Sequence, residues 1–215
     1  MKKITIIVDK IKRGHYLYFF YYYLYTLCMD RHIAGTYKYN RSLNKLIYNN
    51  ERGASPVQST SYRVLDVLLP ELEIGDGDIF VDVGSGWGRL LGYLFIKGKK
   101  CRKYYGIELN SEAADLSKKI LRNYDQVEII NGDATKVIIN DATVYFLFSP
   151  FDRNVMELWI KHIENTHSYV KVYYLHAIHE KAFANKPKWR IIKRKLLRPK
   201  YHIPVTLCVY EYGNR

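Results

Sequence analysis

Hydrophobic and polar positions follow two periods along most of the chain. Short apolar runs at residues 79–83 (IFVDV), 103–109 (KYYGIEL), 126–130 (QVEII), 143–148 (TVYFLF) and 169–175 (YVKVYYL) predict strands. The stretches 89–96, 111–122 and 152–163 between them have the spacing of amphipathic helices. Residues 61–69 (SYRVLDVLL) predict a further helix, with Thr60 or Ser61 as its cap and Pro70 closing it. Strands interleaved with helices imply parallel βαβ units in a doubly wound sheet. The final strands, 189–197 and 204–212, have no helix between them, which implies an antiparallel pair at one edge. The chain thus divides into an extension, 1–59, and an α/β domain, 60–215.

The extension has a different pattern. Residues 15–29 (HYLYFFYYYLYTLCM) hold no Asp, Glu, Lys or Arg and are dominated by tyrosine. They predict a helix that either packs on the domain or lies at a membrane interface, where tyrosine is favoured. No uninterrupted apolar run approaches the roughly 20 residues a spanning helix needs, and no small-residue cleavage site follows the basic leader. Residues 30–60 are polar and turn-rich.

Composition adds a charge asymmetry. The chain has 215 residues, a net charge of +13 and 21 tyrosines. Residues 1–70 carry 11 Lys and Arg against 4 Asp and Glu; residues 71–150 carry 10 against 12; residues 151–215 carry 13 against 5. Two basic flanks therefore surround a near-neutral centre. The stretch 186–200 (KPKWRIIKRKLLRPK) concentrates the charge, and weak attraction to an anionic partner, RNA or anionic lipid, is the expectation. Recognition of a nucleic-acid sequence is not, because no reader motif is present. Three scattered cysteines exclude a disulfide framework and suit a reducing, cytoplasmic setting, with peripheral membrane contact as a further expectation.

The candidate chemistry lies in residues 82–88 (DVGSGWG), where an apolar strand runs into three alternating glycines ahead of a helix. Glycines there admit positive φ and close approach of a ligand to the backbone. The G-x-G-x-x-G dinucleotide fingerprint fails, because Arg89 or Leu91 stands where its third glycine belongs. No phosphate-binding P-loop string and no G-x-S-x-G nucleophile elbow occurs. Asp82 would repel a pyrophosphate but attract a cation. His176 and His179 have the only ligand-like histidine spacing, and no metal is expected.

In order along the chain come Asp82 to Gly88, then Glu108 in 106–110 (GIELN), Asp133 in 131–134 (NGDA), and 148–152 (FSPFD). These four elements resemble the motifs of the class I S-adenosylmethionine-dependent methyltransferases over residues 60–212. The likeness is nearest to bacterial members of undefined substrate; a looser one joins GIELN and the glycine loop to small protein-lysine methyltransferases. The resemblance implies a Rossmann-like seven-stranded sheet with an antiparallel last strand, and S-adenosylmethionine as cofactor. It implies that Gly84, Ser85, Gly86 and Gly88 shape the cofactor loop, with Asp82 orienting it and facing the methionine ammonium. Glu108 with Leu109 takes the ribose, and Asp133 with Ala134 the adenine. Thr60, within 58–62, covers the methionine end.

Ser149, Pro150 and Phe151 are expected beside the methyl group, with Ser149 in the place of the family's usual Asn. Pro150 is expected to hold Ser149 extended, aiming its carbonyl and hydroxyl at the acceptor. His176 is the candidate base for a hydroxyl acceptor. The expected reaction is methyl transfer to an unidentified acceptor, nitrogen favoured. The alternatives are protein-lysine methylation and a non-catalytic cofactor-binding or membrane-associated interaction protein.

Overall fold

Alternation within each strand decides which side of the sheet a residue covers. In the computed structural model, which describes residues 16–35 and 53–214, the parallel strands are β1 (Ile79–Val83), β2 (Lys103–Glu108), β3 (Val127–Asn131), β4 (Val144–Phe148) and β5 (Tyr169–Leu175). The antiparallel strands are β6 (Trp189–Leu197) and β7 (Val205–Gly213). The strand order is β3-β2-β1-β4-β5-β7-β6. One face gathers Phe80, Tyr104, Phe146 and Tyr173 under a layer of helices: α1 (Tyr16–Ala34), α2 (Tyr62–Leu68), α3 (Arg89–Ile96) and α4 (Ser111–Leu121). The other gathers Val81, Tyr145, Leu147, Val172 and Tyr174 under Trp159, Ile160 and Ile163 of α5 (Arg153–Thr166).

The chain proceeds from β1 outward through β2 and β3, then returns across β1 to β4 and β5. The carboxyl ends of β1 and β4 therefore flank a switch point, where sheets of this kind hold ligands. Two helices that start beside it are capped by side chains. Asn110 accepts from the Ala113 amide at 2.9 Å to start α4, and Asp152 accepts from the Val155 amide at 2.9 Å to start α5.

The tyrosine-rich helix is longer than expected, reaching Ala34 rather than stopping near residue 29. The added turn contains Asp30, which is fully buried and ion-paired with Arg89 at the start of α3. Arg89 Nε donates to Asp30 Oδ1 at 3.1 Å and Nη2 to Oδ2 at 2.9 Å. The Tyr62 hydroxyl donates to the same Oδ1 at 2.6 Å. Burial, and then the Asp30 charge, push the Tyr62 phenol far above its ordinary pKa, so it stays a donor. Residues 1–15 and 36–52, which hold the basic leader and most of the turn-rich segment, lie outside the described residues.

The basic edge strand is extensively ion-paired. Glu71 meets Lys193 at 2.9 Å and Lys195 at 2.7 Å, Glu211 meets Arg190 at 2.9 Å, and Glu180 meets Arg194 at 3.2 Å. These charges blunt an otherwise exposed edge.

Removing one member of a buried charge pair strands the other. Asp30→Ala is expected to cost about 3–5 kcal/mol in urea unfolding. The double substitution Asp30→Leu with Arg89→Met, which leaves no charge behind, should recover most of that loss.

Candidate functional site

The glycine loop hangs from the end of β2. The Gly84 and Ser85 amides donate to the Ile107 carbonyl at 2.9 and 3.0 Å. Gly86, at φ 54°, turns its amide to Glu108 Oε2 at 2.7 Å, while the Asn110 amide donates to Oε1 at 2.8 Å. Each carboxylate oxygen of Glu108 thus holds a backbone donor and keeps acceptor capacity for a ligand. Gly88, at φ 75°, sits where any side chain would strike Ser117 and Leu121 of α4, so it sets the packing of α3 on α4.

A cavity of about 890 Å³ opens above this loop. Of the residues expected at the cofactor and the methyl group, Thr60, Asp82, Gly84, Ser85, Glu108, Leu109, Asp133, Ala134, Ser149, Pro150, Phe151 and His176 all line it, whereas Gly86 and Gly88 do not. Asp82 is pushed up to about 8, by burial and then by the neighbouring Glu108 charge. Burial also raises Glu108, against the lowering effect of the Asn110, Gly86 and Leu109 amides. Burial acts to raise Asp133 too, but hydrogen bonds from the Thr135 amide at 3.0 Å and hydroxyl at 2.7 Å, with Lys136 nearby, leave it below its usual range.

The lip at the end of β4 departs from expectation. Ser149 is not extended; it has φ 42°, and His176, at the end of the adjacent β5, has φ 52°. Left-handed backbone at non-glycine residues costs about 1–3 kcal/mol each, and hydrogen bonds hold it here. The Ser149 hydroxyl donates to the His176 carbonyl, and the Ser149 carbonyl accepts from the Ser55 hydroxyl at 2.7 Å. The hydroxyl proton is therefore committed within the protein, while the oxygen keeps lone pairs. The His176 ring meets Phe148 edge-on, with centroids 6.3 Å apart. His176 follows a strand rather than lying on a helix, so it does not share a helical face with His179. Among the described residues no cluster could hold a metal ion.

A strap completes the cavity, and sequence periodicity does not reveal it. Ala54 pairs antiparallel with Phe151, the Ser55 amide donates to the Pro150 carbonyl at 2.9 Å, and the Asp152 amide donates to the Gly53 carbonyl at 2.7 Å. Residues 54–61 then form one wall of the cavity. Arg89 also lines it and donates from Nη1 to the Thr60 carbonyl at 3.3 Å, joining wall to loop. The strap pairs with a loop rather than a strand, so it has no two-residue period to detect.

The arrangement fits S-adenosylmethionine. Glu108 suits a vicinal diol, and Asp82 suits a cationic group.

Comparison with known proteins agrees with the geometry. The family described as histone methylation protein DOT1 matches residues 57–200. A Caenorhabditis elegans histone-lysine N-methyltransferase, specific for H3 lysine 79, is 38% identical over 96 residues, covering 37% of this chain and 10% of that protein. The chain thus spans about a tenth of that relative's length. Among solved structures, the B. subtilis M1A22 tRNA methyltransferase TrmK superposes with a TM-score of 0.59 at 16% identity, over 73% of this chain and 68% of that one. An RNA methyltransferase from Salinibacter ruber, in complex with S-adenosyl-L-homocysteine, gives 0.57 at 19% identity, over 73% and 94%. These two show the shared fold.

The raised Asp82 makes stability pH-dependent. From the ordinary carboxylate range up to about pH 8 the folded chain holds a proton here that the unfolded chain has lost, so ionisation works against folding. The melting temperature of the ligand-free protein relative to Asp82→Asn should fall as pH rises across that window and level off above about 8.

Proposed function

The chain belongs to the histone methylation protein DOT1 family, and we propose that it binds S-adenosylmethionine in the cavity above the glycine loop and transfers its methyl group to a nitrogen acceptor. The observation that carries this is the Glu108 carboxylate, fixed by the Gly86 and Asn110 amides with both oxygens able to accept from a ribose diol. The cofactor, when bound, supplies a sulfonium-activated methyl group.

The protein's part is alignment and exclusion of water. Glu108 would hold the ribose, Asp133 and Ala134 would border the adenine, and the 54–61 wall would cover the methionine end. Asp82, whose burial favours its protonated form in the ligand-free cavity, would ionise more readily beside the cofactor's ammonium. Phe151, which lines the cavity, would give the methyl group an apolar wall. At the lip, Ser149 offers oxygen lone pairs, which can accept from the N–H groups of an incoming amine.

A lysine side chain is one such acceptor. That reading is favoured by the family and by the name of the C. elegans relative. Labelled-methyl transfer into separated protein, RNA, lipid and small-molecule pools identifies the acceptor.

Glu108→Ala should weaken S-adenosylmethionine by about ten- to a hundred-fold in calorimetry, the loss of one or two charge-assisted hydrogen bonds partly replaced by water. Unchanged affinity would overturn the cofactor assignment. Phe151→Ala should lower turnover while cofactor affinity stays the same. His176→Ala should matter little for nitrogen transfer; a loss of about a hundred-fold would mark it as a general base and favour an oxygen acceptor.

A further inference from the structure

The catalytic reading leaves one conspicuous surface unused, the outer face of α1. Tyr16, Leu17, Phe20, Tyr21, Tyr23 and Leu24 lie on one side of the helix and are 61, 76, 53, 67, 60 and 42% exposed. The other side packs on the domain through Met29 and Ile33, with Tyr22 and Tyr25 partly buried. The patch extends past the helix. Tyr201, on the loop before β7, packs against Tyr18 in a tilted arrangement with centroids 4.5 Å apart, and nearby Ile203 is 78% exposed. His202, between them, lines the cavity, so the patch reaches the rim of the proposed active site.

We infer that this face docks on an anionic lipid bilayer. Its chemistry favours that occupant. Aromatic and leucine side chains without interleaved charge suit the boundary between headgroups and acyl chains. The charges around the patch are mostly cationic, Asp66 beside Tyr25 being an exception. Lys200 lies over the Tyr18 ring at 4.8 Å, Arg63 over the Tyr22 ring at 4.0 Å, and Arg31 and His32 are exposed in the last turn of α1. The one acid of the helix, Asp30, is buried against Arg89. The sequence just before the helix adds Lys2, Lys3, Lys10, Lys12 and Arg13 against Asp9 alone.

The alternatives fit less well. A second copy would bring two cationic rims together, and like charges oppose that pairing. A nucleic acid would find no phosphate partners within the uncharged stretch 16–29. Among the described residues no helix is long and apolar enough to cross a membrane, so the helix would lie on the surface.

Sedimentation with vesicles of phosphatidylcholine alone, and of phosphatidylcholine with phosphatidylserine, tests the inference. The full chain should bind the phosphatidylserine vesicles at least about tenfold more tightly, and added salt should weaken that binding. Leu17→Asp combined with Leu24→Asp, both on the exposed face, should abolish it while the melting temperature stays unchanged. Glu108→Ala should bind vesicles like the wild type, which separates this outcome from failure of the methyltransferase reading. Equal sedimentation of the wild type and the Asp variant would overturn the inference. So would absence of binding at low salt, a dimer in light scattering that the Asp variant dissolves, or capture of RNA that the Asp variant loses.

Discussion

The buried pair of Asp30 and Arg89 is the constraint on which the site depends. It joins three parts of the chain that would otherwise meet only at their surfaces. Asp30 comes from the tyrosine-rich helix, Arg89 from the first turn after the glycine loop, and Tyr62 from the helix that follows the cavity wall. Two charges removed from water hold together only when their geometry is good and their remaining donors are satisfied. Here the guanidinium fork matches the carboxylate, and its third nitrogen reaches the Thr60 carbonyl. The extension is therefore built into the cavity, since its carboxylate anchors an arginine that lines it.

A second layer of order follows from the strands. Parallel pairing of β1 with β2 places the end of β2 beside the glycine loop, so that Glu108 stands over Gly86. The same geometry puts Asp82 and Glu108 close enough to repel, in a place where burial already penalises charge. A ligand with a cation at one end and a diol at the other relieves both costs, satisfying Glu108 and stabilising an ionised Asp82. That pairing of demands, more than either carboxylate alone, is why the cavity suits S-adenosylmethionine better than a nicotinamide dinucleotide, whose phosphates would add negative charge.

Much of this was legible from residue order. The five parallel strands announce themselves as apolar runs, and the spacing of Asp82, Glu108 and Asp133 follows from one acid at or just beyond each of three consecutive strands. Other features depend on contacts between distant segments and leave no local period. The Gly53–Val57 strap pairs with the turn at Phe151, and Asp30 is the first residue of a run that reads as turn-forming until Arg89 is placed beside it. The expected extended Ser149 failed for a similar reason. The preference imposed by a following proline is local, whereas the bonds from Ser149 to His176 and from Ser55 to Ser149 are tertiary. The density of Lys and Arg in 186–200 is legible in the sequence, but not that Arg190, Lys193, Arg194 and Lys195 of the edge strand meet Glu211, Glu71 and Glu180 from distant segments.

The serine at the lip bears on the proposed transfer. An asparagine there would offer both a donor and an acceptor, and could present either to an incoming group. Ser149 has one proton, which the His176 carbonyl takes. What remains toward the cavity is acceptor capacity alone, on the hydroxyl and on a carbonyl already partly used by Ser55. A group that donates on arrival, an amine or amide N–H or a protonated hydroxyl, finds a partner there; only an already deprotonated oxygen finds none. The left-handed backbone at both Ser149 and His176 keeps this arrangement in place, because relaxing either residue would break the bond that commits the hydroxyl proton. On that logic the proposed preference for nitrogen over an ionised oxygen rests on the direction of one hydrogen bond between the ends of β4 and β5.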